Sequence, residues 1–163
     1  MHDDRELFEL FSLETQVAGL SWLTVLKKQQ EYKKAFFDFD LDKTAKLSLN
    51  DAIRICKIYN VIKSVPKINA IIHNAKIFLH VKKEFGTIDN YFWSKIKYKQ
   101  IKVAVTKKQD TPSLSPLSEA ISKDLKRRGC KYVGAVTVYA FMCASGMVNQ
   151  HEQRCYLNQE GLL

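Results

Sequence analysis

Along this chain apolar residues recur at steps of three and four far more often than at alternate positions, a spacing that places side chains on one face of an α-helix. Breakers are few, six Gly and three Pro in 163 residues, so the pattern predicts an all-α bundle of roughly six or seven helices. The first two span residues 4–17 and 21–37, followed by a short one that Ser48 opens as N-cap with Asp51 three residues on. Pro66 fits the first turn of the next helix, in which Ile68, Ile71, Ile72, Ala75, Phe78 and Leu79 form one stripe. A short helix over residues 88–95 leads into a lysine-rich stretch, the least regular part of the chain, that runs to Pro112. Ser115 and Pro116 open a helix with Leu117, Ile121 and Leu125 on its buried side, stopped at Gly129, and residues 133–148 make the last one. The only linker candidate, residues 107–116, leaves too little beyond it to fold alone, so residues 1–163 read as a single domain.

Four features stand out from this pattern. In the first helix the apolar stripe is Leu7, Leu10, Phe11, Val17 and Ala18, and the position that completes its steps is Glu14. A carboxylate there must be paired, protonated or facing a cavity, because burying it bare is too costly; a functional carboxylate and a structural one bonded to a buried donor fit equally. Trp22 follows a helix end, a tight turn at Gly19 and Leu20, and an N-cap at Ser21, as a stacking surface for a planar ligand or as part of the core. Residues 125–134 join two helices through a hairpin bracketed by Gly129 and Gly134, with Lys126, Arg127, Arg128 and Lys131 beside it. Glycines there permit close backbone approach, and amides opening the next helix can donate to a phosphate oxygen. The arrangement fits sequence-independent binding of a nucleic-acid backbone or a plain helical corner. Finally, His151 and Cys155, four residues apart, would share one face of a helical turn and could supply two of the four ligands that a structural zinc site needs, or stand at that spacing by coincidence.

Charge locates these features more sharply than it classifies the protein. With 26 Lys and Arg against 17 Asp and Glu, the net charge is +9, compatible with a polyanionic partner. One cluster of it, Lys123, Lys126, Arg127, Arg128 and Lys131, flanks the hairpin, and another runs from Lys95 to Lys108 without an acid; each read alone is a solvated face. A hydrophobic content of 46% excludes general disorder, and no apolar run approaches the roughly 18 residues of a membrane span. An acidic start, Met1-His2-Asp3-Asp4, is unlike a signal peptide. The expectation is a soluble cytoplasmic monomer whose four cysteines are reduced thiols rather than a disulfide framework.

Two of these segments together resemble a known family. Leu13-Glu14 followed by Gln16-Val17-Ala18-Gly19-Leu20-Ser21-Trp22-Leu23-Thr24, and Ser122-Lys123-Asp124-Leu125-Lys126-Arg127-Arg128-Gly129 continuing through Val133-Gly134 to Val148-Asn149 and His151, are similar to the DNA-3-methyladenine glycosylase I family of the helix-hairpin-helix superfamily. The resemblance implies a helix-hairpin-helix DNA glycosylase-like bundle that removes 3-methyladenine from alkylated double-stranded DNA in base-excision repair. Glu14 matches the family's base-contacting glutamate and Trp22 its stacking tryptophan. The turn at Gly19 and Leu20 would approach the gap left by the flipped nucleotide, and residues 129–134 would hold the phosphate backbone. His151 and Cys155 match the C-terminal pair of the family's Zn²⁺ ligands; the other two, with a pocket tyrosine, belong to an N-terminal stretch without a counterpart here, which implies an N-terminally truncated relative with half a metal site. Thr15 stands where the family has glycine, and residues 61–68 lack its arginines. The alternative reading is a relative that no longer cleaves but still grips the DNA backbone.

Overall fold

The computed structural model describes residues 1–104 and 111–151, so Lys107 and Lys108 of the basic run, residues 107–110 of the linker candidate, and Cys155 lie outside the described residues. The elements in order are α1 (Asp4–Gln16), α2 (Trp22–Leu26), α3 (Gln29–Ala35), α4 (Leu41–Ala45), α5 (Leu49–Ile58), α6 (Val65–Phe85), α7 (Ile88–Trp93) running into a 3₁₀ turn (Ser94–Ile96), β1 (Ile101–Lys102), α8 (Pro116–Arg127), α9 (Ala135–Ala144) and β2 (Val148–Asn149).

Local chemistry starts most of these helices where the sequence says. Asp3 caps α1, its carboxylate accepting from the amides of Arg5 and Glu6 at 2.9 Å, and Asp4 and Glu6 add negative charge at the positive end of the helix dipole. Ser48 and Asp51 close a reciprocal capping box on α5, and Ser115 with Ser118 does the same on α8. Pro66 sits in the first turn of α6.

Helix α1 is the centre of the molecule. From Leu7 to Gln16 every residue except Leu10 is buried, because α2, α6, α7 and α9 pack around it. Its contacts with α6, α7 and α9 include aromatic pairs. Phe11 meets Phe78 of α6 at 5.0 Å and Phe141 of α9 at 5.4 Å between ring centroids, and Phe92 of α7 meets Phe141 at 4.6 Å, within the range where edge-on and tilted pairs add to burial. Along its length α6 also carries α4 and α5, while α8 packs on α9.

Three expectations are corrected. The helix expected over residues 21–37 divides at Lys27–Lys28, where Lys28 leaves the helical region at φ −103° and ψ 2° and its ammonium turns to Asn60, donating to the backbone carbonyl at 3.0 Å and the side-chain oxygen at 2.6 Å. Beyond α3, Phe37, Asp38 and Phe39 all adopt positive φ. Left-handed geometry costs roughly 1–2 kcal/mol per residue, and here it drives the fully buried Phe39 ring against Phe8 and Phe36 at 6.1 and 5.8 Å. It also starts the unforeseen helix α4, capped by Asp40. The last helix ends at Ala144 rather than at residue 148. Gly146, at φ +85°, reverses the chain so that β2 pairs in parallel with β1, Ile101 opposite Val148, which pins the start of the lysine-rich stretch. No helix among the described residues is long and apolar enough to cross a membrane.

Candidate functional site

Glu14 lies on the last full turn of α1 and is 7% exposed. Among the described residues no donor or cation reaches its carboxylate by hydrogen bond or ion pair. Burial therefore acts unopposed and pushes its pKa from 4.5 to about 7. The α9 side of this seam carries Cys143, whose thiol is pushed up to about 11, by burial first and by the charge of Glu14 in addition. One further buried oxygen in these helices, Ser12 Oγ on α1, has no hydrogen-bond partner among the described residues. The stripe breaks at Glu14 because the apolar surround ends there: Leu7 and Phe11 are buried, Val17 is half-buried and Ala18 is exposed.

From Ala18 the chain turns to α2. Gly19 takes φ +76°, the amide of Leu20 closes the turn on Val17 O at 2.6 Å, and the Leu20 side chain projects outward, 40% exposed. Ser21 Oγ accepts from Thr24 N at 3.2 Å and so starts α2 at Trp22. Trp22 is half-buried and borders, with Leu10 and Leu13, a recess of about 320 Å³. Glu14 is not among the residues that line it. Trp22 thus flanks the end of α1 that carries Glu14.

The hairpin between α8 and α9 is held by α6. Gly129, at φ +99°, has Ile77 Cδ1 3.7 Å and His73 Nε2 3.8 Å from where a Cβ would stand, and its carbonyl lies 2.9 Å from His73 Nε2. Asn74 pairs with both polar groups of Lys131, Nδ2 donating to the carbonyl at 3.1 Å and Oδ1 accepting from the amide at 2.8 Å. From α8, Ser122 Oγ donates to Val133 O at 2.6 Å. Gly134 begins α9 without a side-chain cap, so the first amides of that helix, at the positive end of its dipole, are not capped from Gly134.

The basic residues around the hairpin divide by environment. Lys126 and Lys131 are exposed, and the Arg127 side chain is 79% exposed although it meets Asp124. Arg128 turns into the fold. Its guanidinium donates to both oxygens of Glu84 at 2.6 and 3.0 Å and to Asp124 Oδ2 at 2.9 Å, and it lies over the rings of Phe85 and Tyr91. Burial alone would raise the Asp124 carboxyl, but hydrogen bonds from Arg128, Tyr91 and Arg127 outweigh it and hold the pKa at about 2.

Residues that the sequence pattern does not mark as functional also shape the site, namely Gln16, Tyr32 and Lys67 at the end of α1 and His73 and Asn74 under the hairpin. A signal for Lys67 exists in retrospect: α1 has no basic residue in its last turn, so its terminal carbonyls must find a donor elsewhere.

The described residues do not fit a four-ligand zinc site. His151 is exposed, its partner Cys155 is outside the described residues, and among the described residues no group of three or more His, Cys, Asp and Glu is placed to hold a metal ion. His2 is occupied otherwise, its Nδ1 2.7 Å from Asp89 and its ring 4.2 Å from that of Trp93.

Comparison with known proteins agrees with this architecture. Residues 1–158 match the methyladenine glycosylase family. The chain is 39% identical to the DNA-3-methyladenine glycosylase of Haemophilus influenzae, over 94% of its own length and 83% of that protein, and 38% identical to DNA-3-methyladenine glycosylase 1 of Escherichia coli strain K12, over 94% and 82%. Among solved structures, a tyrosine-to-phenylalanine variant of 3-methyladenine DNA glycosylase I in complex with 3-methyladenine superposes with a TM-score of 0.94 at 33% identity, covering 98% of this chain and 86% of that one. A helical bundle centred on α1, a glycine-bracketed hairpin clamped to α6, and identity of this extent lead to one assignment: the chain belongs to the methyladenine glycosylase family.

Proposed function

We propose that this protein is a DNA glycosylase of base-excision repair, acting as a cytoplasmic monomer that flips 3-methyladenine out of alkylated double-stranded DNA and hydrolyses its N-glycosidic bond. The observation that carries the reading is Glu14, a carboxylate 7% exposed, without a partner among the described residues, in the last turn of α1 where its apolar stripe ends. Such a group is unfavourable in the free protein and becomes favourable when a cation docks against it.

The lesion supplies that cation. Methylation at N3 leaves the adenine positively charged and a good leaving group, so the enzyme needs to extract and discriminate the base more than to protonate it. Glu14 accepts hydrogen bonds from the base edge, and the positive ring draws its pKa down from about 7, keeping it ionised in the complex. Unmodified adenine brings no charge and leaves the buried carboxylate uncompensated, which is the basis of discrimination. Trp22 stacks on the extruded ring, a contact worth about 1–3 kcal/mol per base. Water then adds to C1′ and loses a proton while the C1′–N9 bond breaks, its electron pair neutralising the departing base.

The rest of the surface grips the duplex without reading it. The uncapped amides at the start of α9, with Gly129 and Gly134 in the hairpin, donate to phosphate oxygens, and Lys126, Arg127 and Lys131 add positive charge. Gly19 and Leu20 approach the gap that the flipped nucleotide leaves. Chromatography of bases freed from methylated duplex DNA tests the reading: free 3-methyladenine accumulates with this protein and does not in its absence. No release above the spontaneous rate, with DNA still bound, would instead identify a relative that binds without cleaving.

A further inference from the structure

Two separate parts of the proposed site, the turn at Gly19 and Leu20 and the hairpin at residues 129–134, are tied to one helix. Lys67 in the first turn of α6 donates from Nζ to Gln16 O at 3.0 Å and to Ala18 O at 2.5 Å, supplying the cation that the last turn of α1 lacks. The bond is returned: the fully buried Gln16 donates from Nε2 to Lys67 O at 3.1 Å, and its Oε1 accepts from Tyr32 OH at 3.2 Å. Seven residues further along α6, Asn74 holds Lys131 by two hydrogen bonds. Seven residues advance a helix by about 10 Å and bring the side chain back within about 20° of the same face. One face of α6 thus fastens both ends of the site.

We infer that α6 acts as a gauge, with Lys67 and Asn74 as positioning residues that set the distance between the turn entering the nucleotide gap and the hairpin holding the phosphates. The inference rests on the glycosylase reading above. It follows from how extraction works: a base leaves the stack only if the backbone is held while another element enters the gap, and an error of about 1 Å in such geometry can cost on the order of a hundredfold in rate. Neither residue touches the reacting atoms.

Single-turnover release of 3-methyladenine from duplex DNA at saturating protein, set beside equilibrium binding of free 3-methyladenine, separates positioning from damage to the pocket. Lys67→Met slows release about tenfold or more while free-base binding stays near wild type, and Lys67→Arg restores most of the rate. Asn74→Asp, which keeps the acceptor for Lys131 N and loses the donor to Lys131 O, slows release from the other end of the gauge and carries the test should Lys67→Met fail to fold. A folded variant at either position that releases base at the wild-type rate overturns the inference, as does a loss of rate matched by an equal loss of free-base binding. An inert wild type removes the glycosylase reading and the inference with it; an active wild type with equally active variants removes the inference alone.

Discussion

Glu14 makes opposite demands on stability and on chemistry, and pH separates them. Below pH 4.5 the carboxyl is protonated in folded and unfolded chains alike and contributes no difference. Between pH 4.5 and about 7 the folded protein keeps a proton that the unfolded chain has lost, so stability falls as pH rises through that window. Above about 7 the full cost of holding the buried charge, about 3 kcal/mol, is present. Glu14→Gln should therefore melt several degrees above wild type at pH 8, with the difference closing toward pH 4.5; equal melting temperatures at pH 8 would contradict the burial. Catalysis runs the other way. The kcat/KM of wild type should fall as pH drops below about 7, because the free protein's base-contacting carboxylate becomes protonated, and the residual rate of Glu14→Gln should show no such fall. Trp22 is tested by Trp22→Ala, which should weaken binding of free 3-methyladenine roughly tenfold or more with secondary structure retained.

At the scale of elements, the hairpin owes its shape to contacts distant in sequence. Arg128 joins the end of α8 to Glu84 near the end of α6 and, through Asp124, to Tyr91 of α7. Replacing it with alanine leaves two carboxylates without their shared partner and should cost about 2 kcal/mol of stability, while the slope of DNA affinity against salt stays as in wild type. Lys131→Ala should do the reverse, sparing stability and reducing that slope by about one. The same contrast shows what a sequence can convey. Basic residues beside a glycine hairpin are visible in the chain, and so are the caps at Ser48 and Ser115 and the stripe of α6, because each is fixed by neighbours within a turn. That Arg128 faces inward is not visible, since Glu84 is 44 residues away. Nor is the turn at residues 37–39: phenylalanine has no intrinsic preference for positive φ, and only the buried ring of Phe39 makes it worthwhile. The carboxylate of Glu14 is legible as a break in a stripe, whereas the thiol of Cys143 that α9 brings near it, 129 residues on, is not.

For the whole molecule, the +9 charge resolves into parts with different work. Some of it, as in Arg128 and Lys67, is spent inside the fold on carboxylates and helix carbonyls; the part left outward at Lys126, Arg127 and Lys131 is what a duplex would meet. DNA affinity should accordingly fall steeply with ionic strength while free-base binding at Glu14 and Trp22 responds little, since counterion release belongs to the phosphates alone. If a cleaving glycosylase is assembled around Glu14, a buried carboxylate without a partner among the described residues, removing that charge must slow release. Single-turnover release of 3-methyladenine from alkylated duplex DNA, wild type beside Glu14→Gln under saturating protein at pH 8, tests it most directly. Wild type should release the base and Glu14→Gln should do so roughly ten- to a hundredfold more slowly; equal rates in the two proteins, whether both active or both inert, would rule out this role for Glu14.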